Sequence, residues 1–210
     1  DFDEKFVDRY NFLIKYQNKK YADKYKELVD YVKKYEENIN VDVKNFSNAV
    51  AINYFKLMSY KDEYEVARLY SNNEFINKIN ETFEGNFKIN FHLAPPIFYK
   101  KDKVTGNPLK MTFGSWTMNL FKFISKFKFL RGTYFDLFGY FEERKIERLL
   151  INKYKNLIQE ICPKLTIDNY SLAVEIASIP DQIRGFGYIK KKNIEIAKNC
   201  ENKLMSMFNG

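Results

Sequence analysis

The sequence predicts an α+β domain that is mostly α-helical, with a small antiparallel sheet or hairpin near residues 87–113. Two patterns predict it. Apolar and aromatic residues recur three or four positions apart through most of the chain, the period of helices buried on one face. The period falls to two at Phe87, Ile89, Phe91 and Leu93, which alternate with Lys88, Asn90 and His92 as in a strand with one buried face. With 210 residues, 45% of them hydrophobic, the chain can bury one substantial core or two small ones. Residues 1–210 are read as one domain, and Asp1 as a cut inside a longer polypeptide.

Residues 3–38 read as one long helix. Phe6, Tyr10, Leu13, Ile14, Tyr21, Tyr25, Leu28, Val32 and Tyr35 mark its apolar side, and no Gly or Pro interrupts it. A polar linker near Asn38–Val43 ends it. A second helix is expected over 46–70, with Asn45 or Ser47 as its N-cap. In it Lys61, Glu65 and Arg68 fall on one face, either as a surface ion-pair ladder or as a partly buried network. A short helix over 73–83 stops at Gly85. The strand at 87–93 ends at Ala94-Pro95-Pro96, because proline cannot donate to a ladder. Segments 97–101 and 109–113 are expected to form a hairpin beside it.

Ser115 is the expected N-cap of the next helix. Trp116, Leu120, Phe121, Phe123, Ile124, Phe127 and Leu130 form its aromatic face, read as core, and Gly132 closes it. Two small-residue turns follow, Arg131-Gly132-Thr133 and Phe138-Gly139-Tyr140. A helix then spans 141–161 up to Pro163, another spans 168–178 up to Pro180, and a last amphipathic helix covers 188–208.

Net charge is +8 and unevenly placed. Residues 86–133 hold nine Lys/Arg (Lys88, Lys100, Lys101, Lys103, Lys110, Lys122, Lys126, Lys128, Arg131) against Asp102 alone, so the rest of the chain is neutral. Such a face suits an anionic partner; the alternative is a solvated lysine-rich surface. Only six of the 35 basic residues are Arg, and Arg131, Arg144 and Arg148 crowd into one stretch. A lysine-biased chain keeps arginine where a planar, multi-donor fork is needed. Lys61 and Arg68, then Arg131, Arg144 and Arg148, then Arg184 and Lys190 therefore form the candidate cluster. It reads either as a structural lattice with nearby acids, clamping the loops at Gly132, Gly139 and Gly185, or as an anion pocket.

No catalytic residue is assigned. The one histidine, His92, has no nucleophile motif beside it and reads as a hydrogen-bonded strand residue. Paired acids such as Glu142/Glu143 sit among Lys and Arg, which favours their charged forms. Gly185-x-Gly187 lacks the spacing of a phosphate loop. Cys162 and Cys200 are two isolated thiols, so no metal site is expected and a reducing, cytoplasmic setting is. No run approaches the roughly 18 apolar residues of a membrane span, and no nucleic-acid-reading module is recognised.

Several ordered phrases resemble one family. They are Tyr16-Gln17 and Tyr21-Ala22, Tyr60 through Arg68 (YKDEYEVAR), His92-Leu93-Ala94-Pro95-Pro96, Phe113-Gly114-x-Trp116, Leu130-Arg131-Gly132-Thr133, Phe138-Gly139-Tyr140 with Glu143-Arg144 and Glu147-Arg148, and Ile183-Arg184-Gly185-Phe186-Gly187. Together they resemble the C-terminal domain of the long, single-chain indolepyruvate ferredoxin oxidoreductases, over nearly the whole chain. The resemblance implies a parent that oxidatively decarboxylates an aryl 2-oxoacid with thiamine diphosphate, Mg²⁺, coenzyme A and iron–sulfur clusters, passing electrons to ferredoxin. Those cofactor sites belong to other domains, so none is expected in this chain. The expected role is architectural, packing on the catalytic domains or a second protomer of a homo-oligomer. The alternative is an anion-binding module for coenzyme A phosphates, or a docking surface for acidic ferredoxin.

Overall fold

The computed structural model describes residues 2–41, 43–85, 87–93 and 109–210. Within them the α+β, mostly helical class holds: there are nine α-helices and one two-stranded antiparallel sheet. The chain divides into two compact units, one made of residues up to Tyr60 with Glu142–Gly210, the other of Lys61–Phe141.

The first unit begins with a helical hairpin where one long helix was expected. Helix α1 (Phe2–Tyr16) stops, and α2 (Lys19–Asn38) runs back along it. Asn18 makes the break: its backbone is extended, and its side chain accepts from Tyr21 N–H at 2.9 Å as the N-cap of α2. The fold-back stacks Phe6 on Tyr25 and lets Tyr10 donate to Asp23 at 2.6 Å. A periodic apolar face without Gly or Pro cannot distinguish one helix from two helices burying the same face against each other.

Helix α3 (Asn45–Met58) is the centre of this unit, packed on α1, α2, α7 (Glu142–Ile161) and α8 (Tyr170–Ser178). Its small and apolar residues are buried almost all round, including Phe46, Ser47, Ala49, Val50, Ala51, Tyr54 and Met58. Neither Asn45 nor Ser47 caps it. The buried Glu36 carboxylate, from the end of α2, accepts instead from Phe46 N–H (2.8 Å) and Ser47 N–H (3.2 Å), and receives the Tyr170 hydroxyl at 2.6 Å. A carboxylate at a helix N-terminus satisfies orphan donors and opposes the helix dipole. At the far end Tyr21 donates to Met58 O and Tyr16 to Tyr60 O, each at 2.8 Å. Helix α9 (Gly187–Asn209) packs on α8 and on the short turn Ile179–Gln182.

The second unit starts where the expected 46–70 helix breaks. Asp62, with extended backbone, caps α4 (Glu63–Ser71) by accepting from Glu65 N–H at 2.8 Å, so Lys61 falls before the helix and not on its face. Helix α5 (Asn73–Thr82) follows as expected. Strand β1 (Phe91–Leu93) pairs with β2 (Met111–Phe113), Phe91 opposite Phe113 and His92 opposite Thr112. Segment 97–101, the other expected hairpin strand, lies outside the described residues. Helix α6 (Thr117–Ser125) starts with no side-chain cap, so Ser115 does not serve. It ends well before Gly132, and the turn Lys128–Leu130 intervenes. Ala67, Phe91 and Phe121 form the unit's small core, with α4 packed on α6.

Candidate functional site

The densest polar constellation lies in the second unit, around the loop from Leu130 to Phe141. Arg131 and Asp62 form a buried bidentate ion pair, each side chain 3% exposed. Arg131 Nε donates to Asp62 Oδ2 at 2.5 Å and Nη2 to Oδ1 at 2.8 Å. Because Asp62 also caps α4, one carboxylate fastens the loop to a helix start. The Arg131 guanidinium lies 5.5 Å from the centre of the Tyr64 ring, in cation–π range.

Asp136 organises the loop itself. Its Oδ2 accepts from Gly132 N–H at 2.7 Å, and its Oδ1 from Gly139 N–H at 2.9 Å and the Tyr64 hydroxyl at 3.2 Å. Gly132 has φ +74°, a left-handed conformation that side-chain-bearing residues rarely adopt. The Asp136 carboxylate thus ties the two glycine turns together, beside the Arg131–Asp62 pair that fastens the loop to α4. Burial pushes the Tyr64 phenol pKa up, and the charge and hydrogen bond of Asp136 add to the shift. Tyr64 therefore stays a neutral donor. Phe138 meets its ring edge-on at 5.1 Å.

Arg68 grips the buried Glu65 bidentately at 2.8 and 2.7 Å one helical turn away, the realised part of the expected Lys61–Glu65–Arg68 ladder. Lys128 sits close to this group. Partial burial lowers its pKa, the positive charges of Arg68 and Arg131 lower it further, and Glu65 opposes them. The second unit therefore brings together Arg68, Lys128 and Arg131 among Asp62, Glu65 and Asp136, while Lys61 is exposed.

The remaining candidates belong to the first unit. Arg144 and Arg148 are half-buried on α7. Lys190 on α9 pairs with the buried Glu147 of α7 at 2.6 Å. Arg184 is exposed and donates to the backbone carbonyl of Asp181 at 2.9 Å. Gly185 in that turn has φ +92°, and a Cβ there would come within 2.8 Å of the Ile189 side chain. In the basic stretch, Lys110, Lys122 and Lys126 are exposed, while Lys100, Lys101 and Lys103 lie outside the described residues. His92 Nδ1 lies 3.1 Å from Thr112 Oγ1 across the sheet.

A family model covers residues 2–203, from α1 into α9, and so spans both units. The chain belongs to DUF6537, a family of unknown function. No curated protein and no solved structure matches it. The DUF6537 constellation is a clamp in chemical terms: its acids accept from arginines, backbone amides and a neutral phenol. No group of three or more His, Cys, Asp or Glu suited to a metal occurs among the described residues, and none of their helices is long and apolar enough to cross a membrane.

Sequence reasoning placed Asp62 and Asp136 only as nearby acids. The Asp62-x-x-Glu65 spacing is a helix-start signal that could have split the 46–70 helix. Glu36 and Tyr170, 134 positions apart, carried no local signal.

Proposed function

We propose that this chain is a non-catalytic, architectural domain of a larger 2-oxoacid:ferredoxin oxidoreductase of the indolepyruvate type, packing against that enzyme's catalytic domains or second protomer. The sequence phrases support the parent. One observation carries the role: the clamped loop displays Tyr134, Phe135 and Leu137 to solvent at 91%, 75% and 79% exposure. Large apolar side chains held out by a pre-ordered backbone suit a docking surface, because little ordering entropy is left to lose on binding. The buried charges below them have carboxylate or amide partners, which fits support better than catalysis.

The experiment mixes the 210-residue chain with the remainder of the oxidoreductase polypeptide, expressed separately. A stoichiometric complex is expected by light scattering, weakened at least about tenfold when Tyr134, Phe135 and Leu137 become serine together. Absence of any complex sinks the proposal. A second reading, anion binding for coenzyme A phosphates or acidic ferredoxin, is favoured by the exposed Lys110, Lys122 and Lys126 in a stretch, Leu109 to Thr133, that holds no acid. It expects salt-sensitive binding of coenzyme A or ferredoxin to the chain; calorimetry finding neither at low salt removes it.

A further inference from the structure

Helix α6 is apolar on two sides. One side, Thr117, Phe121 and Ile124, faces the small core of the second unit. The other runs through Trp116, Leu120 and Phe123, spaced at i, i+4 and i+7, and these are 59%, 40% and 61% exposed. Ring contacts extend the stripe at both ends. Phe113 meets Trp116 edge-on at 6.2 Å, Phe123 meets Phe127 at 4.9 Å, and Phe127 meets the exposed Phe129 at 6.3 Å. The sequence expectation that this aromatic set is core holds for Phe121 and not for Trp116 or Phe123. A helix apolar on two sides packs against a layer on each. Here one covering layer is found among the described residues of the second unit and the other is not.

The charge around the stripe says what covers it. Between Leu109 and Thr133 there are four Lys and one Arg and no acid, and Lys122 and Lys126 are exposed on or beside α6. A second copy of this face would set lysine against lysine, which disfavours self-pairing. A bilayer of anionic lipids would meet the same lysines, so retention on such vesicles is the competing outcome of the test below. We infer that the outer face of α6 docks on an apolar surface rimmed by carboxylates on a neighbouring domain of the parent oxidoreductase. This rests on the architectural reading above and assigns it a second contact, separate from the Tyr134–Leu137 loop.

The test uses the whole chain and the separately expressed remainder of the polypeptide. Trp116→Ser/Phe123→Ser should weaken the complex about tenfold or more, with an unchanged melting temperature because both side chains are solvent-facing. Lys122→Glu/Lys126→Glu should slow association and flatten its salt dependence while leaving the fold intact. Unchanged affinity in both pairs, with the wild-type complex still formed, overturns this inference and leaves the architectural reading standing. A wild-type chain that never binds the remainder overturns both. Dimerisation abolished by Phe123→Glu in sedimentation velocity, or retention on phosphatidylglycerol-containing vesicles lost in the same variant, assigns the stripe to another occupant and also overturns it.

Discussion

Asp62 carries two duties on one carboxylate, capping α4 and neutralising Arg131 in a site closed to water. Removing one member of a buried pair strands the other, which costs about 3–5 kcal/mol, whereas removing both with shape retained costs far less. Arg131→Met is therefore expected to lose stability in that range. Arg131→Met/Asp62→Asn should recover part of it, since Asn still caps; urea unfolding of the three proteins checks this. Equal losses in the single and double variants would mean the pair is not the source. Arg131 stood out in the sequence because arginine is scarce. Its partner did not, since an acid 69 positions away is one of many.

Among elements, the hairpin of α1 and α2 turns at Asn18. Its side chain satisfies one amide of α2, and Asn18→Ala should cost about 1 kcal/mol with the m-value unchanged, read from the shift in denaturation midpoint. A midpoint that does not move would show that packing alone sets the turn. This is also where sequence reading reached its limit. Periodicity located nearly every helical segment, and proline and glycine marked the ends near Gly85, Pro163 and Pro180. The missed boundaries, at Asn18 and Asp62, are polar caps inside apolar patterns that continue on both sides. At the start of α3 the boundary was legible and its capping group was not, because Glu36 supplies the cap from another helix. The outer stripe of α6 was misjudged for a related reason, because spacing shows that a face is apolar and not that this chain covers it.

At the scale of the molecule, tyrosine does what lysine and arginine cannot in the first unit's core. Phe6, Tyr25, Tyr54 and Tyr154 stack in succession through α1, α2, α3 and α7, with centroids 5.4, 6.3 and 6.0 Å apart. Tyr25 and Tyr154 end on carbonyl acceptors, Ala51 O and Ala177 O. Burial raises the phenols of Tyr25 and Tyr54 from an ordinary value of 10.0 to about 12, and that of Tyr154 also upward. The Cys162 thiol is likewise pushed up to about 12. The folded state thus favours the neutral forms. Their contribution is complete below the unfolded values and is lost as pH rises through the folded ones. Stability should accordingly fall between pH 10 and about 12, with the last phenolate absorbance appearing together with loss of helical circular dichroism. Ionisation of all 16 tyrosines near pH 10 in a chain that keeps its helices would contradict that burial.

The first unit is assembled from two stretches of chain with the whole second unit between them. On the ribosome, its three opening helices emerge before the segments that finish their core. At ordinary synthesis speeds the intervening stretch takes on the order of ten seconds to make. Throughout that interval Tyr54 lacks Tyr154, and Glu36 lacks the phenol that seats it. Nascent α3 is then a sticky, half-covered helix, and a chaperone that shields it until Tyr170 arrives would decide how much of the protein reaches its native state.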